Sequence, residues 1–142
     1  MNAEQANAQP ASNETKGKVL LIDDDKFLVD MYAVKFTQSG FTVQAALSVA
    51  DGLKVLREGF AADAILFDLI MPGGDGFSFL EALKKEALAP GAVKITLTNE
   101  MNDEEQKRIK ELGADRYVVK ATMIPSEVVS TVSEEIAKHR AV

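Results

Sequence analysis

Five short apolar runs alternating with five helical patterns predict a doubly wound α/β domain: a five-stranded parallel sheet with helices on both faces. Two of the runs, Lys18 to Ile22 and Ile65 to Phe67, are unbroken, as strands covered on both faces are. Acid stops each of them: Asp23-Asp24-Asp25 after the first, Asp68 after the second. Pro72, Gly73, Gly74 and Gly76 then punctuate the backbone, so a turn begins at once. A carboxylate that closes a buried strand and faces a flexible loop stands where open α/β sheets bind ligands.

In chain order, residues 1 to about 16 are rich in Ala, Asn and Gln and nearly free of large apolar side chains. They bury too little surface to offset their ordering entropy and are expected to form a disordered tail, leaving one domain over residues 17–142. After the first strand, Asp25 is placed to cap a helix from Lys26 to Ser39, with Phe27, Met31 and Val34 as its apolar stripe and Gly40 as its stop. Phe41 to Ala45 alternates and reads as a second strand. Ser48 to Asp51 is a capping-box pattern opening a helix with Val49, Leu53 and Leu56. Ala64 to Phe67 forms the third strand, and Phe77, Leu80 and Leu83 mark the third helix as core. Val93 to Thr98 is the fourth strand and ends on a hydroxyl.

Asn102 caps the next helix, acidic at its start (Asp103, Glu104, Glu105) and basic further on (Lys107, Arg108, Lys110), in keeping with the helix dipole. Its apolar residues are chiefly Ile109 and Leu112, so its hold on the sheet is expected to be light. Arg116 to Val119 is the fifth strand, ended by Lys120. A last helix runs from about Pro125 to about His139 with Val128, Val129, Val132 and Ile136 inward. The chain finishes soon after, so no output domain is expected to follow.

Composition narrows the function classes. With 142 residues the chain suits one domain, and 46% hydrophobic with 27% charged residues is ordinary for a globular protein. A net charge of −6 leaves no basic footprint for nucleic acid. Cysteine is absent, which removes disulfides and thiolate metal sites. No secretory signal and no membrane-spanning run is present, so a cytoplasmic protein with neither a nucleic-acid nor a membrane partner is expected. The single histidine, His139, falls at a helix end as a solvated side chain.

A parallel sheet places every strand's carboxyl end along one edge, and that edge collects Asp23, Asp24, Asp68, Thr98 and Lys120. Crowded carboxylates call for a hard divalent cation, and Mg2+ favours one or two of them plus water and phosphate oxygens. Lys120 supplies a point charge for a phosphate oxygen and Thr98 a hydroxyl donor. A carboxylate beside a metal can attack phosphorus, so the parts of an aspartyl-phosphate site are present, with charge stabilisation as its main catalytic contribution.

The blocks Ile22-Asp23-Asp24-Asp25, Asp68 with Met71-Pro72-Gly73-Gly74-Asp75-Gly76, Leu97-Thr98, and Gly113-Ala114-Asp115 with Tyr117 to Lys120 resemble the signature of receiver domains of two-component response regulators. The likeness runs from about Gly17 to Arg140. It implies a flavodoxin-like sheet in the order 2-1-3-4-5, and a single-domain signalling protein rather than an enzyme acting on other molecules. It implies Asp68 as phosphoacceptor, with Asp24 and Asp68 ligating Mg2+, Asp23 holding the metal through water, and the Ile70 backbone carbonyl completing the protein ligands. Thr98 and Lys120 would contact the phosphoryl group, and Tyr117 matches the aromatic that turns inward on activation. The implied partners are a histidine kinase or histidine phosphotransfer protein, docking near Phe27 to Tyr32, and a downstream protein at the fourth helix, fifth strand and fifth helix.

Two positions depart from the family. Ala121 stands where proline usually follows the lysine in a cis bond, and a cis bond before a non-proline residue costs about 2.5–4 kcal/mol. The loop therefore either retains that strain or places Lys120 differently. Asn99 stands where a small residue is usual and is expected to narrow phosphate access; Glu100 is a second candidate for shaping it. Two other readings compete. A phosphorylation-independent interaction module would need none of the intact acid and lysine set. A metal-dependent phosphohydrolase would carry an acid two residues after the nucleophile, and Ile70 stands there.

Overall fold

The computed structural model describes residues 15–99 and 101–140. Five parallel strands lie in the order β2-β1-β3-β4-β5. The strands are β1 (Lys18–Ile22), β2 (Thr42–Ala46), β3 (Ala64–Asp68), β4 (Val93–Thr98) and β5 (Arg116–Val119). The helices are α1 (Lys26–Gln38), α2 (Val49–Arg57), α3 (Gly76–Glu86), α4 (Asp103–Glu111) and α5 (Pro125–Arg140). The expected fold class and strand order are both present.

Successive strand residues point to opposite faces, so each strand feeds two cores. Val19, Leu21, Leu66, Ile95, Leu97 and Val118 pack under α1 and α5. Leu20, Ile22, Ile65 and Phe67 pack under α2, α3 and α4. This two-sided burial, at about 1.5–3 kcal/mol per large apolar side chain, is why β1 and β3 read as unbroken apolar runs.

Caps fall where local chemistry requires acceptors. Asp25 accepts from the Leu28 N–H, Ser48 from Asp51 and Asp75 from Ser78. Asn102 and Glu105 close a full reciprocal box at the start of α4. Ser48 makes only its own half of the box pattern. The stripe of α5 is buried as expected, and among the described residues of α4 only Ile109 is buried.

One expectation is reversed. Phe27, Met31 and Val34 are exposed (79%, 37% and 55%), while Val29, Tyr32 and Phe36 face the core. Helix α1 carries apolar residues on two faces, and periodicity alone does not choose between them. Phe41 settles the choice: it precedes β2 rather than opening it, and meets Phe36 edge-to-face at 5.5 Å between ring centroids. The expected disordered segment lies outside the described residues as far as residue 14. Thr15 and Lys16 are described and engaged, with the Lys16 N–H donating to Gly40 O at 2.9 Å and the Thr15 hydroxyl 3.0 Å from that of Thr42.

The flank beyond β1 is closely fastened. Gly52 of α2 lies so near β1 that an added Cβ would collide with Ile22 Cδ1. Arg57 of α2 and Glu86 of α3 form a two-pronged pair at 2.7 and 2.6 Å. On β4 the situation differs: Thr96 is fully buried and its hydroxyl has no partner among the described residues. Thr96→Val keeps the branched shape and removes that desolvated hydroxyl. We expect a gain of about 1 kcal/mol in urea unfolding; a loss of stability would mean the hydroxyl is bonded in solution.

Candidate functional site

All five strand carboxyl ends open on one edge, and the turns that leave them present the polar residues. The Asp23 backbone N–H donates to Ala46 O at 3.1 Å, which holds the end of β1 against β2. Its side chain is 2% exposed and doubly engaged: Oδ1 accepts the Asp25 N–H at 3.0 Å and Oδ2 accepts Lys120 Nζ at 2.7 Å. Asp24 is exposed at the rim. Asp68 closes β3, is 8% exposed, and its Oδ1 lies 3.4 Å from Lys120 Nζ. The Ile70 backbone also favours the charged Asp68 carboxylate.

One carboxylate oxygen from each of Asp23, Asp24 and Asp68 lies within 4.8 Å of the others. Three hard oxygen donors at that separation, two of them on buried residues, fit a divalent cation. Thr98 ends β4 and is buried at 3% exposure, next to exposed Asn99. The edge thus brings together Asp23, Asp24, Asp68 and Lys120, with Thr98 closing the neighbouring strand. Tyr117 stands apart, 40% exposed on β5, and the Ile70 side chain points outward at 66% exposure. Glu100 lies outside the described residues.

No described peptide bond is cis. Lys120–Ala121 is trans and opens a 3-10 turn, Lys120–Thr122, which the Thr122 hydroxyl pins by donating to Val119 O at 3.0 Å. Lys120 nonetheless reaches both carboxylates across this turn.

Burial and the neighbouring Asp23 charge push the Asp68 carboxyl above its usual range, against the pull of Lys120 and the Ile70 backbone. Burial by itself would lower the Lys120 ammonium, but its contacts with Asp23 and Asp68 outweigh it and hold the group above its ordinary value. Each of these groups therefore compensates the other. Tyr32, 3% exposed, also senses the pair: burial raises its phenol, Lys120 draws it down and Asp23 raises it again. Sequence reading gave Tyr32 only to a docking region; its position on the inner face of α1 was hidden by the second apolar stripe. Ile124, 62% exposed just past the Lys120 turn, was missed as well.

No helix among the described residues is long and apolar enough to cross a membrane. The model for the response regulator receiver domain family matches residues 19–132. The phosphate regulon transcriptional regulatory protein PhoB of Klebsiella pneumoniae is 30% identical over 115 residues, 81% of this chain and 49% of that protein. The chain spans about half the length of the curated relatives it matches. Among solved structures, a CheY-like receiver domain protein from Methanospirillum hungatei JF-1 superposes with a TM-score of 0.80 at 26% identity, covering 88% of this chain and 97% of the other. The chemotaxis protein CheY4 of Vibrio cholerae does so with a TM-score of 0.77 at 25% identity, over 83% and 97%.

Proposed function

The chain belongs to the response regulator receiver domain family, and from that premise we propose that it accepts a phosphoryl group on Asp68 from the phosphohistidine of a kinase or phosphotransfer protein. The observation that carries this reading is Lys120, whose ammonium spans from Asp23 at 2.7 Å to Asp68 at 3.4 Å although 97 residues separate it from Asp23. An ammonium so placed neutralises the acids at rest and stands ready for a phosphoryl oxygen.

An Asp68 oxygen attacks phosphorus as the P–N bond to the donor imidazole breaks, and the imidazole leaves with the electron pair. Lys120 exchanges a carboxylate partner for a phosphoryl oxygen, and Thr98 donates its hydroxyl to a second one. Asp24 and Asp68, with Asp23 through water and the Ile70 carbonyl, would hold Mg2+, which when bound offsets the negative charge gathered on the phosphoryl oxygens. Asn99, exposed beside Thr98, narrows the approach.

Donor docking falls to the apolar rim. Phe27 and Met31 of α1, Ile70 two residues after Asp68 and Ile124 four after Lys120 are exposed, apolar side chains of the kind a helical partner covers. The added negative charge then draws the β4 end inward, giving Tyr117 room to turn from its exposed position and α4 reason to repack. The phosphoryl group selects an arrangement by its differential contacts alone. A groove of about 580 Å³ between α4 and β5, lined by Ile109, Tyr117, Val119 and Met123 among others, supports a downstream protein binding on this side.

Incubation with Mg2+ and acetyl phosphate tests the reading. We expect a mass increase of one phosphoryl group, labile in base and absent without the metal. A protein that stays unmodified, yet binds a partner equally well, would be an interaction module instead.

A further inference from the structure

We propose that Arg108 and Phe77 form a latch that fastens α4 to the first turn of α3, which follows the loop leaving Asp68, in the resting protein, so that its release is part of the switch. The second half of this statement rests on the reading given above. The Arg108 guanidinium lies over the Phe77 ring, 4.2 Å from its centroid. Among the described residues Arg108 makes no ion pair, so the aromatic face is its partner. Neighbouring Glu104, Glu105 and Asn102 line a depression of about 160 Å³ with the two residues.

Phe77 is a rigid anchor. It follows Gly76, whose N–H donates to Leu69 O at 2.8 Å, and a Cβ at Gly76 would stand 3.1 Å from Leu69 Cα. The reciprocal Asp75–Ser78 cap fixes the same turn. The ring is 7% exposed, so it moves only with the backbone beside Asp68. Helix α4 is the opposite case: with Ile109 as its one buried residue among those described, it has little apolar area to hold it. A single cation–aromatic contact is then a large share of its attachment, and it joins this lightly anchored helix to the start of α3, which is bonded to Leu69 next to the candidate phosphoacceptor.

Hydrogen exchange without any phosphodonor tests the tether. In Arg108→Ala we expect the amides of α4 to exchange about three- to fivefold faster with β1 and β3 unchanged, and Phe77→Leu to speed α4 as much while also loosening the core it shares with β3. Arg108→Lys, which keeps a cation, falls between, and the double variant adds nothing to either single one. Beryllium fluoride, a phosphoryl mimic followed through Thr98 and Tyr117 amide shifts, then binds about three- to fivefold more tightly to Arg108→Ala. Unchanged α4 exchange in a cooperatively folded Arg108→Ala overturns the tether. Weaker or equal binding of the mimic overturns its role in switching. If exchange rises but no variant or wild type takes up the mimic, the tether stands and the phosphoacceptor reading falls.

Discussion

We expect Asp68→Asn to abolish the phosphoryl adduct completely and to raise the unfolding midpoint instead of lowering it. The first effect follows from removing the nucleophilic oxygen; intact-mass measurement after acetyl phosphate treatment reads it. The second follows from the direction of the Asp68 shift. Its carboxyl is raised from an ordinary 3.8 because burial and Asp23 oppose the charge more than Lys120 and the Ile70 backbone support it. A carboxyl with a raised folded value binds its proton more tightly in the native state. Its contribution to stability is full below the unfolded value and is lost as pH rises through the folded one. At neutral pH the wild type therefore carries a destabilising charge that the carboxamide lacks. Melting curves across the acid range should flatten in Asp68→Asn relative to wild type. A lower midpoint at pH 7 without Mg2+ would show that the Lys120 pair dominates instead.

The second large effect, of opposite sign, is expected of Lys120→Met. In the metal-free protein the ammonium is counter-ion to Asp23 and Asp68, and removing one partner strands the buried Asp23 carboxylate. Because Lys120 keeps some exposure, we expect a loss of about 2 kcal/mol, less than the roughly 3–5 kcal/mol of breaking a fully buried pair. Mg2+ should recover much of that loss, since the cation no longer competes with the ammonium for the same oxygens. Phosphorylation remains slower by about a hundredfold, the scale of one lost charge donor. Paired melts with and without Mg2+, and a time course with acetyl phosphate, separate the two. Equal stability of the variant and the wild type without metal would rule out the counter-ion role.

How much of this was readable in the residues depends on the kind of contact. β1 and β3 were legible because a strand covered twice must be apolar at every position, and because acid cannot continue it. The convergence of Asp23, Asp68, Thr98 and Lys120 was legible too, since parallel strands end on one side. The face of α1 was not: Phe27, Met31 and Val34 form as regular a stripe as Val29, Tyr32 and Phe36. The choice lies with Phe41 and the sheet beneath. The pairing of Arg108 with Phe77 was equally hidden, because two helices joined through separate loops set their facing residues only once packed. The turn at Lys120 lay between these cases. Ala121 announced a departure, but not that a 3-10 turn would still deliver the ammonium to Asp23.

The two flanks of the sheet are not mechanically alike. On the side of α2 and α3, a helix pressed against β1 through Gly52 and the double bond from Arg57 to Glu86 leave little slack. On the other, among the described residues α4 buries only Ile109 within its span, helped by partly buried Leu112 at its end and the Arg108 guanidinium stacked on Phe77. A disturbance that begins at the central strand has a stiff wall to its left and a compliant one to its right, so it travels in a single direction.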